Sequence, residues 1–372
     1  MYKPKILCVV GTRPEAIKMA PIILELQKTK WNIPIVLATS QHNELLHDTL
    51  KIFNISPDFD LKVMKENQSL EDLTSDLIKK LSDFFRKIKP DLVLAQGDTT
   101  TVMTTALCCF YKKIPFGHVE AGLRSRDLYN PFPEEFNRIV ADRLATFNFA
   151  PTKRAKKNLL KEGIPKHTIF VTGNTVIDSL FYILKNFQKE NQIIKKLPKD
   201  KKIILITLHR RESFGEPLKN ILLSIKTLAQ AYKNELFFVF PVHPNPNVKN
   251  TVLNILSNIS NILITPPLTY ENFVRVMSKS WLVLTDSGGI QEEAPALSKP
   301  VFVLRDTTER PEVIEEGLGL LVGRDPEKII SSVEWLLSNP EEYNNFAKGF
   351  SPYGDGKASK RIVKIIKKFF NV

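Results

Sequence analysis

From end to end this chain alternates short apolar runs with amphipathic stretches of helical period. That alternation narrows most sharply what it can fold into. The first half carries the runs Ile6–Val10, Ile35–Thr39, Leu92–Ala95, Phe116–Val119, Phe147–Ala150 and Thr168–Thr172. The second half carries Ile203–Leu208, Leu236–Val239, Ile262–Ile264, Leu282–Thr285, Val301–Val303 and Gly319–Val322. Helical segments fall between them, among them Leu70–Ile88, Thr99–Tyr111, Glu134–Ala145 and Pro326–Ser338. In the first of these Leu70, Leu73, Leu77, Leu81, Phe84 and Ile88 keep a helical spacing. Strands that alternate with helices imply parallel sheets covered on both faces. The expectation is an α/β protein of two Rossmann-like domains facing across a cleft. The first is expected over residues 1–172 and the second over 173–355, with the last helix, 356–372, returning to pack on the first. In open parallel sheets ligands lie beyond the carboxyl ends of the strands, so polar residues there are the candidates for chemistry.

With 372 residues the chain is long enough for two domains of usual size. The net charge of +13 suits an anionic substrate, nucleic acid or an acidic membrane alike. The lysines are scattered along helices rather than interleaved with aromatics, which reads as solvated surface. Nucleic acid is therefore not expected as a partner. The densest basic stretch, Lys357–Phe370, also carries Ile362, Val363, Ile365, Ile366, Phe369 and Phe370, which fits a docked helix better than a free arm. Cys8, Cys108 and Cys109 make neither a disulfide framework nor a zinc spacing, and are expected as buried thiols. No secretory leader and no run long enough to span a bilayer is evident, so a cytoplasmic protein without membrane insertion is expected.

Several strand ends carry polar groups. Asp286-Ser287-Gly288-Gly289 follows a strand and opens an amphipathic segment, where Ser287 can cap a helix and the two glycines let backbone N–H groups approach an anion. Glu293, a turn further on, is better suited to ribose hydroxyls than to phosphate. An ordinary strand–turn–helix corner would look the same, and both readings stand. Gly11-Thr12-Arg13-Pro14-Glu15 follows the first strand with a single glycine, so it is not a dinucleotide fingerprint, and no P-loop pattern occurs. Arg13 and Lys18 can contact a diphosphate near a helix start, with surface charge the alternative for Arg13. Asp98 in Gln96-Gly97-Asp98-Thr99 serves equally as a helix N-cap. Glu120 ends an apolar run, where burial would raise its pKa and fit it for proton transfer. Glu134 opens a helix, where acidic residues are commonplace. The functional reading rests on the set: three carboxylates from three successive connections of one sheet. The second half adds His209, able to donate to a phosphate or act as an acid, His243, and Arg310 as a partner for phosphate or Glu293. The six histidines show no H-x-x-H or H-E-x-x-H spacing for zinc.

Taken together, Gly-Thr-Arg-Pro-Glu at 11–15, Gln-Gly-Asp-Thr-Thr-Thr at 96–101, His-Val-Glu-Ala-Gly-Leu-Arg at 118–124 and Pro-Phe-Pro-Glu-Glu at 131–135 resemble the non-hydrolysing UDP-N-acetylglucosamine 2-epimerases. So do Thr-Gly-Asn-Thr-Val-Ile-Asp at 172–178, His-Arg-Arg-Glu at 209–212, Val-His-Pro-Asn-Pro at 242–246 and Thr-Asp-Ser-Gly-Gly-Ile-Gln-Glu-Glu at 285–293. The resemblance runs in order along almost the whole chain. It implies the two-domain fold of GT-B glycosyltransferases, a homodimer, a UDP-sugar substrate, and no need for NAD, metal or another cofactor. It places catalytic positions on Asp98, Glu120, Glu134 and His209. UDP-binding positions fall on Arg13, Lys18, Phe273, Ser287, Gly288, Gly289, Glu293 and Arg310. A second, activating substrate site would lie near Gln41, His42, Gln68, Arg211 and His243. Asn43, where arginine is common after Gln-His, and Asn67, where glycine often precedes Gln-Ser-Leu, weigh against that activation.

The implied chemistry accounts for the residue types. The C2 proton of the sugar is not adjacent to a carbonyl, so its simple removal is very unfavourable. If UDP leaves C1 as that proton is taken, the charge passes to a diphosphate and a 2-acetamidoglucal forms. UDP then adds back with a proton delivered to the other face of C2. A base, an acid and a diphosphate grip suffice. A hydrolysing relative that releases free ManNAc, an epimerase of a related UDP-sugar, a GT-B glycosyltransferase and a UDP-sugar sensor use the same pocket. The glycosyltransferase reading leaves the three carboxylates unexplained.

Overall fold

The computed structural model describes residues 2–40, 43–65, 67–187, 192–210 and 214–371. The chain forms two compact units, one of 1–182 with 353–372 and one of 183–352.

In the first unit the described strands are β1 (Lys5–Val10), β2 (Ile33–Ala38), β3 (Phe59–Asp60), β4 (Leu92–Gln96), β5 (Phe116–Val119), β6 (Phe147–Ala150) and β7 (Ile169–Val171). They form one parallel sheet in the order β3-β2-β1-β4-β5-β6-β7. β1 is central, with Leu7 opposite Ile35 on one side and Val93 on the other. A strand buried on both faces needs apolar side chains at every position, and Ile6 to Val10 are all buried. The helix Leu70–Ile88 turns Leu73, Leu77, Leu81, Phe84 and Phe85 onto the sheet, against Val93, Ala95 and Phe116. Ser69 caps it by accepting from Asp72 N at 3.1 Å, and Lys89 ends it in the left-handed conformation. The three cysteines are buried and free, and burial pushes the Cys8 thiol up to about 12.

The last helix, Ala358–Phe369, packs against the helix Arg13–Gln27, and Phe369 meets Phe147 edge-on at 5.1 Å between ring centres. Its N-terminus is capped from afar. Asp178 accepts from Ala358 N at 3.1 Å, Ser359 N at 2.9 Å and Ser359 Oγ at 2.6 Å.

In the second unit the strands are β8 (Lys202–Thr207), β9 (Leu236–Pro241), β10 (Ile262–Thr265), β11 (Leu282–Thr285), β12 (Val301–Val303) and β13 (Gly319–Leu321), again all parallel, in the order β10-β9-β8-β11-β12-β13. The helices Glu216–Ala231 and Pro326–Ser338 cover one face, burying Ile221, Ile225, Leu228, Ile329 and Val333 with Phe238 and Phe302. The fold class is that expected: two parallel-sheet, Rossmann-like domains. In each sheet the strand order reverses beside the first strand, between β1 and β4 and between β8 and β11. Such a switch point leaves a crevice at the carboxyl edge.

Candidate active site

In the first unit the candidates gather at that edge. Gly11 follows β1, and a Cβ there would stand 2.6 Å from Thr39 Oγ1 and 2.7 Å from Thr101 Oγ1, so only glycine fits. Arg13 is half-buried at the start of the next helix. Glu15, one turn in, folds back as the acid of a capping box. It accepts from Gly11 N, from Thr12 N at 3.2 Å and from Thr99 Oγ1 at 2.6 Å. Burial pushes its carboxyl up to about 7, against those three hydrogen bonds.

Asp98 is not the helix cap: Thr99 is, accepting from Val102 N. Asp98 instead ion-pairs with Arg138, and its carbonyl accepts from Asn137 Nδ2 at 2.9 Å. Glu120, 7% exposed, sits in the left-handed region at φ 71°. Lys18 Nζ lies 2.7 Å from both its carboxylate oxygens, Gln96 Nε2 donates to it, and Asn174 Nδ2 donates at 3.1 Å. Lys18 thus neutralises Glu120, a partnership its place near a helix start did not suggest. Glu134 is the first residue of the helix Glu134–Leu144, one turn before Arg138, the partner of Asp98. The three carboxylates do not come from three successive connections. Asp98 follows β4, whereas Glu120 and Glu134 both belong to the connection from β5 to β6.

In the second unit Thr207 and Thr285 are paired across β8 and β11 with hydroxyls 2.6 Å apart. Just beyond them the buried Asp286 accepts from His209 N at 3.0 Å and Arg210 N at 2.9 Å, and its carboxylate lies 3.2 Å from His209 Nδ1. His209 keeps 42% of its side chain exposed while the carboxylate orients it. His243 is nearby; burial and the neighbouring His209 lower its pKa, with Asp286 opposing. Ser287 occupies the N-cap of the helix Gly288–Ala296 without a capping bond from its side chain, so the hydroxyl is not spent there. A Cβ at Gly288 would lie 3.8 Å from Arg210 Nη2 and 3.9 Å from Arg310 Cζ, which puts two guanidinium groups beside the turn. Arg310 pairs with Glu292, and Glu293, buried, accepts from Tyr270 Oη at 3.1 Å. Phe273 is half-buried on the helix Tyr270–Lys279. Glu309 is pushed down to about 2: burial would raise it, but its own backbone amide and the Arg305, Arg210 and Arg310 guanidinium groups prevail. This edge combines backbone N–H groups at a helix start with cationic side chains, an arrangement suited to a diphosphate.

Gln68 Nε2 donates to Asp76 at 3.1 Å, just before the helix Leu70–Ile88 in the first unit. Gln41, His42 and Arg211 lie outside the described residues. Glu15, Gln96, Asn174, Arg210 and Asp286 stand inside the motifs, but their contacts at the site are not marked by the sequence pattern. A strand-end signal was available for Asp286, as the residue before Ser-Gly-Gly.

The UDP-N-acetylglucosamine 2-epimerase family model matches residues 24–367. The chain belongs to that family. The UDP-N-acetylglucosamine 2-epimerase of Neisseria meningitidis serogroup A is 49% identical over 370 residues, spanning 98% of this chain and 99% of that protein. A crystal structure of the N. meningitidis epimerase bound to UDP-GlcNAc matches with a TM-score of 0.91, covering 98% of this chain and 100% of that one. The Methanocaldococcus jannaschii UDP-GlcNAc 2-epimerase in complex with UDP-GlcNAc and UDP matches at 36% identity and a TM-score of 0.83, covering 98% and 99%.

Proposed function

We propose that this chain reversibly epimerises UDP-N-acetylglucosamine at C2 to UDP-N-acetylmannosamine, without net hydrolysis. A carboxylate takes the C2 proton, its electron pair forms the C1–C2 double bond, and the C1–oxygen bond breaks so that UDP leaves. UDP then re-adds to C1 as a proton is delivered to the opposite face of C2. Atoms and charge balance with no redox step. Asp98, Glu120 and Glu134 supply proton transfer. Arg13, His209, Arg310 and the Ser287-Gly288-Gly289 turn hold the diphosphate as its charge develops, and Glu293 holds the ribose.

The observation that carries this reading is Glu120: a buried carboxylate on left-handed backbone at the carboxyl edge of a parallel sheet, matched by a lysine and two amide donors. Backbone in that region is uncommon for a residue other than glycine. The family's activity supports the substrate. The same reading carries a cytoplasmic homodimer that works without dinucleotide or metal. Proton NMR of the protein with UDP-GlcNAc in D₂O tests it. UDP-ManNAc carrying one deuterium at C2 is expected. Steady accumulation of free ManNAc and UDP would favour the hydrolysing reaction, and retention of the original hydrogen would exclude exchangeable carboxylates.

A further inference from the structure

We propose that Asp142, acting through His118, is the positioning residue that fixes the backbone carrying both Asp98 and Glu120. The inference rests on the acid–base reading of those two carboxylates. Neither Asp142 nor His118 has exposed surface to meet a substrate, both being essentially fully buried. Asp142 lies on the third turn of the helix Glu134–Leu144, and its two oxygens act in different directions. Oδ2 accepts from Gly122 N at 3.1 Å and ion-pairs with Arg124 at 2.7 Å. Oδ1 lies 2.6 Å from His118 Nδ1.

Each direction ends at a candidate carboxylate. Gly122 closes the turn that holds Glu120 at positive φ. Glu120 N and Ala121 N both donate to the Phe149 carbonyl, at 3.0 and 3.1 Å, and the bond from Gly122 to Asp142 continues that clamp. Gly122 itself has φ 86°, and a Cβ there would stand 2.5 Å from the Ala155 carbonyl oxygen, so the turn has one path. In the other direction His118 Nε2 lies 2.7 Å from the carbonyl of Gly97, the residue joined to Asp98. Its two ring nitrogens thus bridge the Asp142 carboxylate and the Gly97 carbonyl. One buried carboxylate thereby ties the Glu120 turn to the Asp98 loop.

The test is kinetic. Asp142→Asn keeps the side-chain shape but presents an amide to three donors. His118→Asn keeps an amide donor for Asp142 and loses the reach to Gly97. Misplacement by about 1 Å can cost about 100-fold in rate. The expected result for Asp142→Asn is a kcat fall of that order, with UDP affinity by calorimetry within about twofold and one UDP still bound per chain. His118→Asn should lower kcat in the same way, and the double variant should be no slower than Asp142→Asn alone. If Asp142→Asn fails to fold, His118→Asn decides. Turnover near that of the unaltered protein, multiplying effects in the double variant, or a loss no larger than the loss of UDP-binding chains would overturn the inference. Full turnover in Asp98→Asn or Glu120→Gln would instead overturn the acid–base reading beneath it.

Discussion

Glu15 shows how an acid in the first turn of a helix becomes an electrostatic element. Its carboxyl is buried among Gly11, Thr12 and Thr99, and its folded pKa of about 7 lies above the ordinary value of 4.5. A raised carboxyl stabilises the fold while protonated. That contribution is complete below pH 4.5 and is lost as pH rises through about 7. The difference corresponds to roughly 3 kcal/mol. Glu15→Gln should therefore gain stability relative to the parent by an amount of that order between pH 4 and pH 8. Denaturation curves that stay parallel across that range would show that Glu15 is not held protonated. Single residues were only partly legible beforehand. Strand-end position singled out Asp98, Glu120 and His209, because chain order alone puts them there. The partners Lys18, Arg138, Asn174 and Asp142 arrive from other elements, and nothing local in the sequence marks those meetings.

At the scale of elements, periodicity carried the reading. The helix Pro326–Ser338 begins and ends as expected, with Asp325 capping it through Lys328 N at 2.9 Å and proline in its first turn. The long apolar runs became strands within a residue or two, whereas β3, only Phe59–Asp60, has too few residues to make an alternating pattern. The C-terminal helix was legible as a docked amphipathic segment, but its cap was not. Lys357 at its N-cap makes no capping bond with its side chain, and Asp178 does the capping from far away in the chain. Asp178→Ala would leave two helix-start amides without their acceptor, a loss of roughly 1–3 kcal/mol. Hydrogen exchange should speed up at Ala358 and Ser359 and through the helix after them, well before the central strands β1 and β4 are affected. Unchanged protection along 358–369 would assign the helix's stability to its apolar face alone.

At the scale of the whole molecule, fold class was the most legible property, because alternation of strand and helix leaves few topologies and strand order then dictates where polar residues gather. The proposed division of chemistry follows the two sheets. Carboxylates line the carboxyl edge of the first, while a helix start, His209 and a group of guanidinium side chains line that of the second. Substitutions should therefore separate by unit. Glu293→Ala and Arg310→Ala should weaken UDP binding with the fold retained, and calorimetry showing no change in either would remove the nucleotide from that turn. Asp98→Asn, Glu120→Gln and Glu134→Gln should each lower turnover by roughly 10²–10⁴-fold, the usual contribution of an acid–base group, with a much smaller effect on UDP affinity. Glu134 is the sharpest case, since a helix-start carboxylate has a plain structural role available to it. If Glu134→Gln turns over normally while Asp98→Asn and Glu120→Gln do not, proton transfer needs only those two carboxylates, and Glu134 serves its helix alone.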